Sequence, residues 1–137
     1  MIIKKRIRNV LEFKIGKNIS FKNNIYVIDK NVFKLFNPKR TFLIKDDKTI
    51  RGNHAHKKLH QFLICVNGKI IVNLDFGRFK KKITLTPFCN GLYIPPKVWS
   101  SQEYLLKNSV LLVISNDYYK EADYIRDYAN YLKLCND

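Results

Sequence analysis

The sequence predicts an all-β protein, a barrel or jelly roll closed by one short C-terminal helix. Short apolar segments rich in β-branched and aromatic residues recur along the chain, turn signals separate them, and the tail alone shifts to helical spacing. At 137 residues the chain is long enough for one core and short enough to be a single domain, residues 1–137.

The elements follow in order. Phe42–Ile44 is an apolar segment between Pro38 and the Asp46-Asp47 pair. Phe62–Val66, then Asn67-Gly68, then Lys69–Leu74 reads as a β-hairpin, because an Asn-Gly turn places both residues at positive φ. Asp75-Phe76-Gly77 turns the chain again, and Lys82–Leu85 continues the sheet with Ile83 and Leu85 alternating. Gly91–Ile94 ends at Pro95-Pro96, which cannot extend a ladder. Ser109–Ser115 is a continuous apolar run of the kind found in a core strand. From Asp117 to Leu134, Ala122, Ile125, Ala129 and Leu132 recur at helical spacing, so one amphipathic helix is expected there.

Composition narrows the class. Hydrophobic residues make up 46% and aromatics 13%, too much apolar material for a disordered segment. No apolar run approaches the roughly 20 residues of a membrane span. The start carries no apolar stretch of about 7–15 residues with a small-residue cleavage site, so no secretory leader is expected. Cys65, Cys89 and Cys135 are odd in number, widely spaced and expected to be reduced, which fits a cytoplasmic protein. The formal charge of +15, from 26 Lys and Arg against 11 Asp and Glu, attracts anions. Lys, Ile and Asn abound throughout, a bias that codon usage alone produces. The charge is dispersed and no nucleic-acid motif accompanies it, so neither nucleic acid nor membrane is the expected partner.

Every histidine lies in residues 51–60, RGNHAHKKLH. His54 and His56 are two apart, so on a strand they face one way. Imidazoles paired on one face suit either metal ligation or proton transfer. The spacing resembles the first cupin motif, H-x-H followed by a glutamate, with His60 in the glutamate's place. The second motif would fall on Pro95, Lys97 and Ser100, where its histidine ligand is absent. A three-histidine metal site therefore needs His60 as its third ligand. The alternative is that the histidines are ordinary surface or core residues, His60 above all.

Three stretches together resemble one family: Arg51 to Lys58; Gly91-Leu92-Tyr93 with Trp99; and Asn116-Asp117-Tyr118-Tyr119 through Asp123-Tyr124-Ile125-Arg126. The chain is similar, from about Lys39 to Leu132, to the dTDP-4-keto-6-deoxyglucose 3,4-ketoisomerases, cupins of the FdtA/QdtA type. The resemblance implies a cupin jelly roll without metal or other cofactor, dimeric by exchange of the N-terminal strands (residues 1–38 here). It implies an enzyme that moves the keto group of a dTDP-linked 4-keto-6-deoxy sugar from C4 to C3 through an enediolate, ahead of a 3-amino sugar for surface glycans. The family's active-site histidines match His54 and His56.

The chemistry suits histidine, whose ordinary pKa lets it take and return a proton near neutrality. His56 is assigned as the base at C3 and His54 as the group that polarises or protonates oxygen. Arg51 is a candidate for bidentate contact with the pyrophosphate, and Lys57 for neutralising phosphate. Tyr93 and Trp99 are candidates to stack on thymine or line the sugar pocket, although aromatic residues in a barrel are more often core. Arg126 reads as an ion-pairing residue, and Tyr118-Tyr119 as the pair that pins the tail to the barrel.

The chain also departs from the family. Its entering strand, Arg40-Thr41-Phe42-Leu43-Ile44, has Phe42 and Leu43 where family tyrosines are candidate proton relays. Arg40 joins the substrate-binding candidates, and Tyr26 is the expected replacement for the tyrosines. The N-terminal segment Phe21–Tyr26 lacks the family's acid and arginine, with Lys22 a partial substitute. Two alternatives follow: a cupin that binds a nucleotide sugar without turnover, and a three-histidine metal enzyme.

Overall fold

The computed structural model describes residues 3–14, 20–22 and 25–136. Among these the chain forms β1 (Ile3–Ile7), β2 (Val10–Lys14), β3 (Ser20–Lys22), β4 (Ile25–Val27), a helical turn α1 (Lys30–Phe33), β5 (Arg40–Asp46), β6 (Ile50–His56) and β7 (Gln61–Asn67). It continues through β8 (Ile70–Asp75), β9 (Lys80–Leu85), β10 (Asn90–Ile94), β11 (Trp99–Tyr104), β12 (Ser109–Ser115), β13 (Tyr124–Ile125) and α2 (Tyr128–Asn136). Two antiparallel sheets face each other in a jelly-roll barrel, in the orders β1-β2-β10-β7-β12-β5 and β13-β6-β11-β8-β9. The short β3 and β4 pair with each other.

Alternation builds the core. On β12, Leu111 and Val113 point between the sheets, where they meet Leu63, Val72, Leu74, Ile83, Leu85 and Leu92. Leu112 and Ile114 point outward onto a second cluster with Phe13, Phe36 and Phe62. Both faces of β12 are therefore covered, which explains a run with no polar alternation. Outside the other sheet, Ala55, Ile125 and Tyr131 form a third cluster with Trp99 and Tyr128. No helix among the described residues is long and apolar enough to cross a membrane.

The β8–β9 hairpin forms as the pattern predicts, Asp75 opposite Lys80. Its turn has Gly77 at φ 92°, and the Gly77 N–H donates to Asp75 Oδ1 at 2.8 Å. The Asn67-Gly68 hairpin does not form. β7 pairs with β10 and β12, whereas β8 pairs with β9 and β11, so Asn67-Gly68 carries the chain from one sheet to the other. Gly68 has positive φ but Asn67 does not, and the Asn67 amide donates to the Asn108 carbonyl at 2.8 Å. Gly68 is required by crowding: a Cβ there would lie 2.3 Å from Ser109 Oγ and 2.8 Å from its Cα. Gly68→Ala is expected to destabilise the fold by roughly 1–3 kcal/mol, read as a lower urea midpoint at unchanged slope.

The tail also differs from a helix over 117–134. Helix α2 begins at Tyr128, where Asp127 caps it by accepting from Ala129 N–H at 2.8 Å. Before that, Glu121–Asp123 makes a single 3₁₀ turn, and Tyr124–Ile125 runs extended as a short edge strand on β6, Tyr124 opposite His56 and Ile125 opposite Ala55. Pairing with the exposed edge of β6 supplies backbone hydrogen bonds that a helix would forgo, so tertiary pairing overrides the helical spacing. Tyr128 and Tyr131, rather than the exposed Tyr118 and Tyr119, pin the tail: their hydroxyls donate at 2.7 Å to Asp75 Oδ2 and to the Asp75 carbonyl.

Candidate active site

β5 ends one sheet, β6 lies next to the short edge strand β13 in the other, and inward residues of both line one cavity of about 190 Å³. Its walls include Phe42, Arg51, His54, Gln61, Gln102 and Tyr124. That is below the ~300 Å³ of a drug-sized pocket, room for one small ring.

A β-bulge decides which side chains of β6 reach this cavity. Ser100 opposes His54 and Gln102 opposes Arg51, so β6 has one residue more than β11 between those pairs. The extra residue is accommodated at Gly52 (φ 95°) and Asn53 (φ 59°), types that tolerate positive φ. Simple alternation would put Arg51 on the face opposite His54. The bulge brings both to the inner face, beside Ser100 and Gln102.

Beyond the bulge His54 and His56 face the same way as expected, and Tyr124 arrives opposite His56 from β13. The three rings form a triangle. Centroid separations are 5.0 Å for His54–His56, 4.8 Å for His54–Tyr124 and 4.4 Å for His56–Tyr124. His56 Nδ1 lies 3.1 Å from Asp123 Oδ2, while Asp123 Oδ1 accepts from the Lys58 backbone N–H at 2.8 Å. A carboxylate only accepts, so His56 carries its proton on Nδ1 and presents the Nε2 lone pair. His56 Nε2 and His54 Nδ1 are buried and have no hydrogen-bond partner among the described residues.

Burial sets the charge state of the pair. It lowers His54 to about 4, helped by the nearby His56 and Arg126. Burial also lowers His56, opposed by its hydrogen bond and attraction to Asp123. Both imidazoles are therefore neutral bases at neutral pH. A histidine held neutral in the fold but free to protonate when unfolded stabilises the chain above pH 6.5. That contribution is lost as pH falls from 6.5 toward 4, on the order of 3 kcal/mol in the limit. Urea unfolding at pH 7 and pH 5 is expected to show a clear loss of stability that His54→Gln reduces. An equal loss in both proteins would contradict it.

The outer side of the site is ionic. Arg126 donates to Glu121 through Nε at 2.6 Å and Nη2 at 2.9 Å, and its guanidinium lies 4.2 Å from the Tyr124 centroid. Tyr119 donates to Glu121 as well. These bonds hold the Glu121 carboxyl down to about 2. Arg51 pairs through Nε with Asp46 and keeps an exposed side chain at the rim. Arg40 lies on the inner face of β5, its guanidinium 4.4 Å from the Phe42 centroid and 5.9 Å from that of Tyr119.

The structure thus gathers Arg51, His54 and His56, leaves Arg40 at the other end of β5 beside Phe42 and Tyr119, and distributes the other candidates elsewhere. Tyr93 is on the outer face of its sheet, its hydroxyl 2.8 Å from His60 Nδ1. With His60 committed there, the three histidines do not converge, and among the described residues no three His, Cys, Asp or Glu side chains are placed to hold an ion. Trp99 packs beneath α2 against Tyr128 and Tyr131, at 5.1 and 5.5 Å. Lys57 lines a separate surface cleft of about 360 Å³ with Lys58, Asp117 and Lys120. Tyr26 stacks on Phe88 at 3.9 Å, beside the outer cluster. The Lys22 side chain and residues 23–24 lie outside the described residues. Sequence reasoning missed Asp123 and Tyr124 as site residues. Their signal was the Asp-Tyr-Ile-Arg run, hidden inside a segment that reads as helix.

A family model described as FdtA, WxcM-like C-terminal, matches residues 8–136. A TDP-4-oxo-6-deoxy-alpha-D-glucose-3,4-oxoisomerase from Aneurinibacillus thermoaerophilus is 41% identical over 126 residues, 90% of this chain and 89% of that protein. The chain belongs to the FdtA-type sugar 3,4-ketoisomerase family. Solved ketoisomerases share its fold. A histidine-to-asparagine variant of QdtA from Thermoanaerobacterium thermosaccharolyticum, in complex with TDP-4-keto-6-deoxyglucose, aligns with a TM-score of 0.84 at 34% identity over 96% of each chain. WlaRA, a TDP-fucose-3,4-ketoisomerase from Campylobacter jejuni, aligns with a TM-score of 0.83 at 35% identity, over 93% of this chain and 96% of that one.

Proposed function

We propose that this chain is a sugar-nucleotide 3,4-ketoisomerase, an intramolecular oxidoreductase that moves the keto group of a TDP-linked 4-keto-6-deoxyhexose from C4 to C3. The observation that carries the mechanism is the buried His56–Asp123 pair, packed against the cavity-lining His54 and Tyr124. Asp123 keeps the proton on Nδ1, so Nε2 is the atom that removes the C3 proton and returns it to C4 of the enediolate. His54 is neutral near pH 7 and serves as a hydrogen-bond donor to substrate oxygen, polarising it rather than protonating it.

Arg51 lines the cavity, where a diphosphate leaving it would meet its guanidinium, whereas Arg40 stands at the other end of β5 over Phe42 and near Tyr119. Engagement of phosphate by Arg51 would draw on the group now paired with Asp46. The same reading includes a homodimer formed by exchange of residues 1–38, supported by the exposed Ile25, Tyr26 and Val27 on β4. The product, a 3-keto sugar, would serve an aminotransferase.

Carbon NMR of TDP-4-keto-6-deoxyglucose incubated with the chain tests the proposal. The carbonyl resonance is expected to leave C4 and appear at C3. A carbonyl that stays at C4, while the ligand raises the unfolding temperature, would instead make the chain a nucleotide-sugar-binding module.

A further inference from the structure

Moving a carbonyl between neighbouring carbons transfers two protons, one between carbons and one between oxygens. His56 accounts for the first. The second leaves the C3 hydroxyl and ends on the oxygen of C4, and neither neutral imidazole is placed to supply it: His56 is committed to carbon, and His54 would have to become an imidazolium in a buried setting.

Tyr124 is the remaining proton-bearing side chain in the triangle. Its strand β13 pairs with β6 so that Tyr124 stands directly across from His56, and residues directly opposite share a face. Its ring lies 4.4 Å from His56 and 4.8 Å from His54, and it forms part of the cavity wall. Arg126 lies over the ring, locked by its two bonds to Glu121, and Tyr119 lies 5.5 Å away, so the ring is held from behind. Ile125, buried beneath α2, anchors the same strand from its outer face. Two fixed neighbours and a strand register are more than packing a surface tyrosine requires.

We infer that Tyr124 is a catalytic residue, the relay that carries the oxygen-borne proton during isomerisation; this rests on the histidine mechanism proposed above. As His56 takes the C3 proton, the C3–C4 double bond forms, the C4 carbonyl π pair moves to oxygen, and the phenol donates its proton there. The phenolate then takes the proton of the C3 hydroxyl. The C3 carbonyl forms as the double-bond pair takes the proton back from His56 at C4. Tyrosine and histidine both end as they began, and no other reactant is needed.

Charged and titratable groups facing the phenol are His54 and His56 from β6, Asp123 and Arg126 flanking β13, and Glu121 and Tyr119 from the preceding segment. Tyr124→Phe is expected to lower kcat by about 10²-fold with little change in KM, at an unaltered unfolding temperature. A fluorotyrosine at position 124, whose phenol is more acidic, is expected to keep turnover and to move the alkaline limb of the kcat profile to lower pH. A Tyr124→Phe enzyme that retains kcat beside an inactive His56→Asn enzyme overturns the relay alone, as does an unmoved alkaline limb. Full turnover in both variants overturns the histidine mechanism on which the relay rests.

Discussion

Replacing His56 by asparagine is expected to lower kcat by roughly 10²–10⁴-fold, the range a positioned general acid–base group supplies. Asparagine keeps the size of the side chain's first half and its polarity, but no atom of it accepts a proton near neutral pH. His56 is only 6% exposed and packs beside His54 and Tyr124, so bulk solvent does not readily supply a base in its place. Substrate binding is expected to survive, because Arg51 is held by the Asp46 carboxylate and does not lean on the imidazole. Steady-state kinetics with TDP-4-keto-6-deoxyglucose read the split: a fall in kcat with KM nearly unchanged. A proportional rise in KM with kcat intact would mean that His56 binds rather than reacts.

The second large effect belongs to Asp123. In Asp123→Asn the side-chain oxygen is expected to keep its bond from the Lys58 backbone N–H, which is a fixed donor. The amide NH₂ then faces His56 Nδ1 and must donate to it, so the imidazole proton moves to Nε2. The atom that should accept the C3 proton already carries one. The loss is expected to reach at least about 10²-fold in kcat, as for other carboxylates that set a catalytic tautomer, although Asp123 touches no substrate. Asp123→Glu, which can restore the carboxylate at a shifted position, should recover part of the rate. Nitrogen NMR of the imidazole supplies a readout that a merely structural role would not move: Nδ1-protonated in the native chain and Nε2-protonated in the variant.

Legibility of this molecule in its sequence divides along physical lines. Period-2 patterning exposes strands whose two faces differ, as in β9, and continuous apolar runs expose strands covered on both sides, as in β12. β11 was missed because its inner residues, Ser100 and Gln102, are polar where they face the site. The Asn67-Gly68 hairpin failed because a turn signal reports a change of direction and not which sheet the chain enters next. The helical spacing of Ala122 and Ile125 was genuine in sequence but lost to strand pairing along β6.

The site follows the same division. His54 and His56 were legible because two residues on one strand share a face whatever else the fold does. Arg51 reached that face through a bulge at Gly52-Asn53, a deviation from alternation that spacing alone would have read the other way. Asp123 and Tyr124 lie 67 and 68 residues beyond His56 and meet it through long-range pairing, which no local pattern records. Tyr93 and Trp99 were legible as aromatic residues of the barrel, but the face each occupies depends on register, and register put both on outer surfaces.

The central claim is that His56 moves the carbon-bound proton through an enediolate. It is tested most directly by isomerisation in deuterated water, followed by proton NMR for the native chain and for His56→Asn. The account predicts that the native chain washes solvent deuterium into C3 of recovered substrate and C4 of product, and that His56→Asn shows no wash-in above buffer. Equal wash-in for both proteins, or product formed by His56→Asn at the native rate, would contradict it.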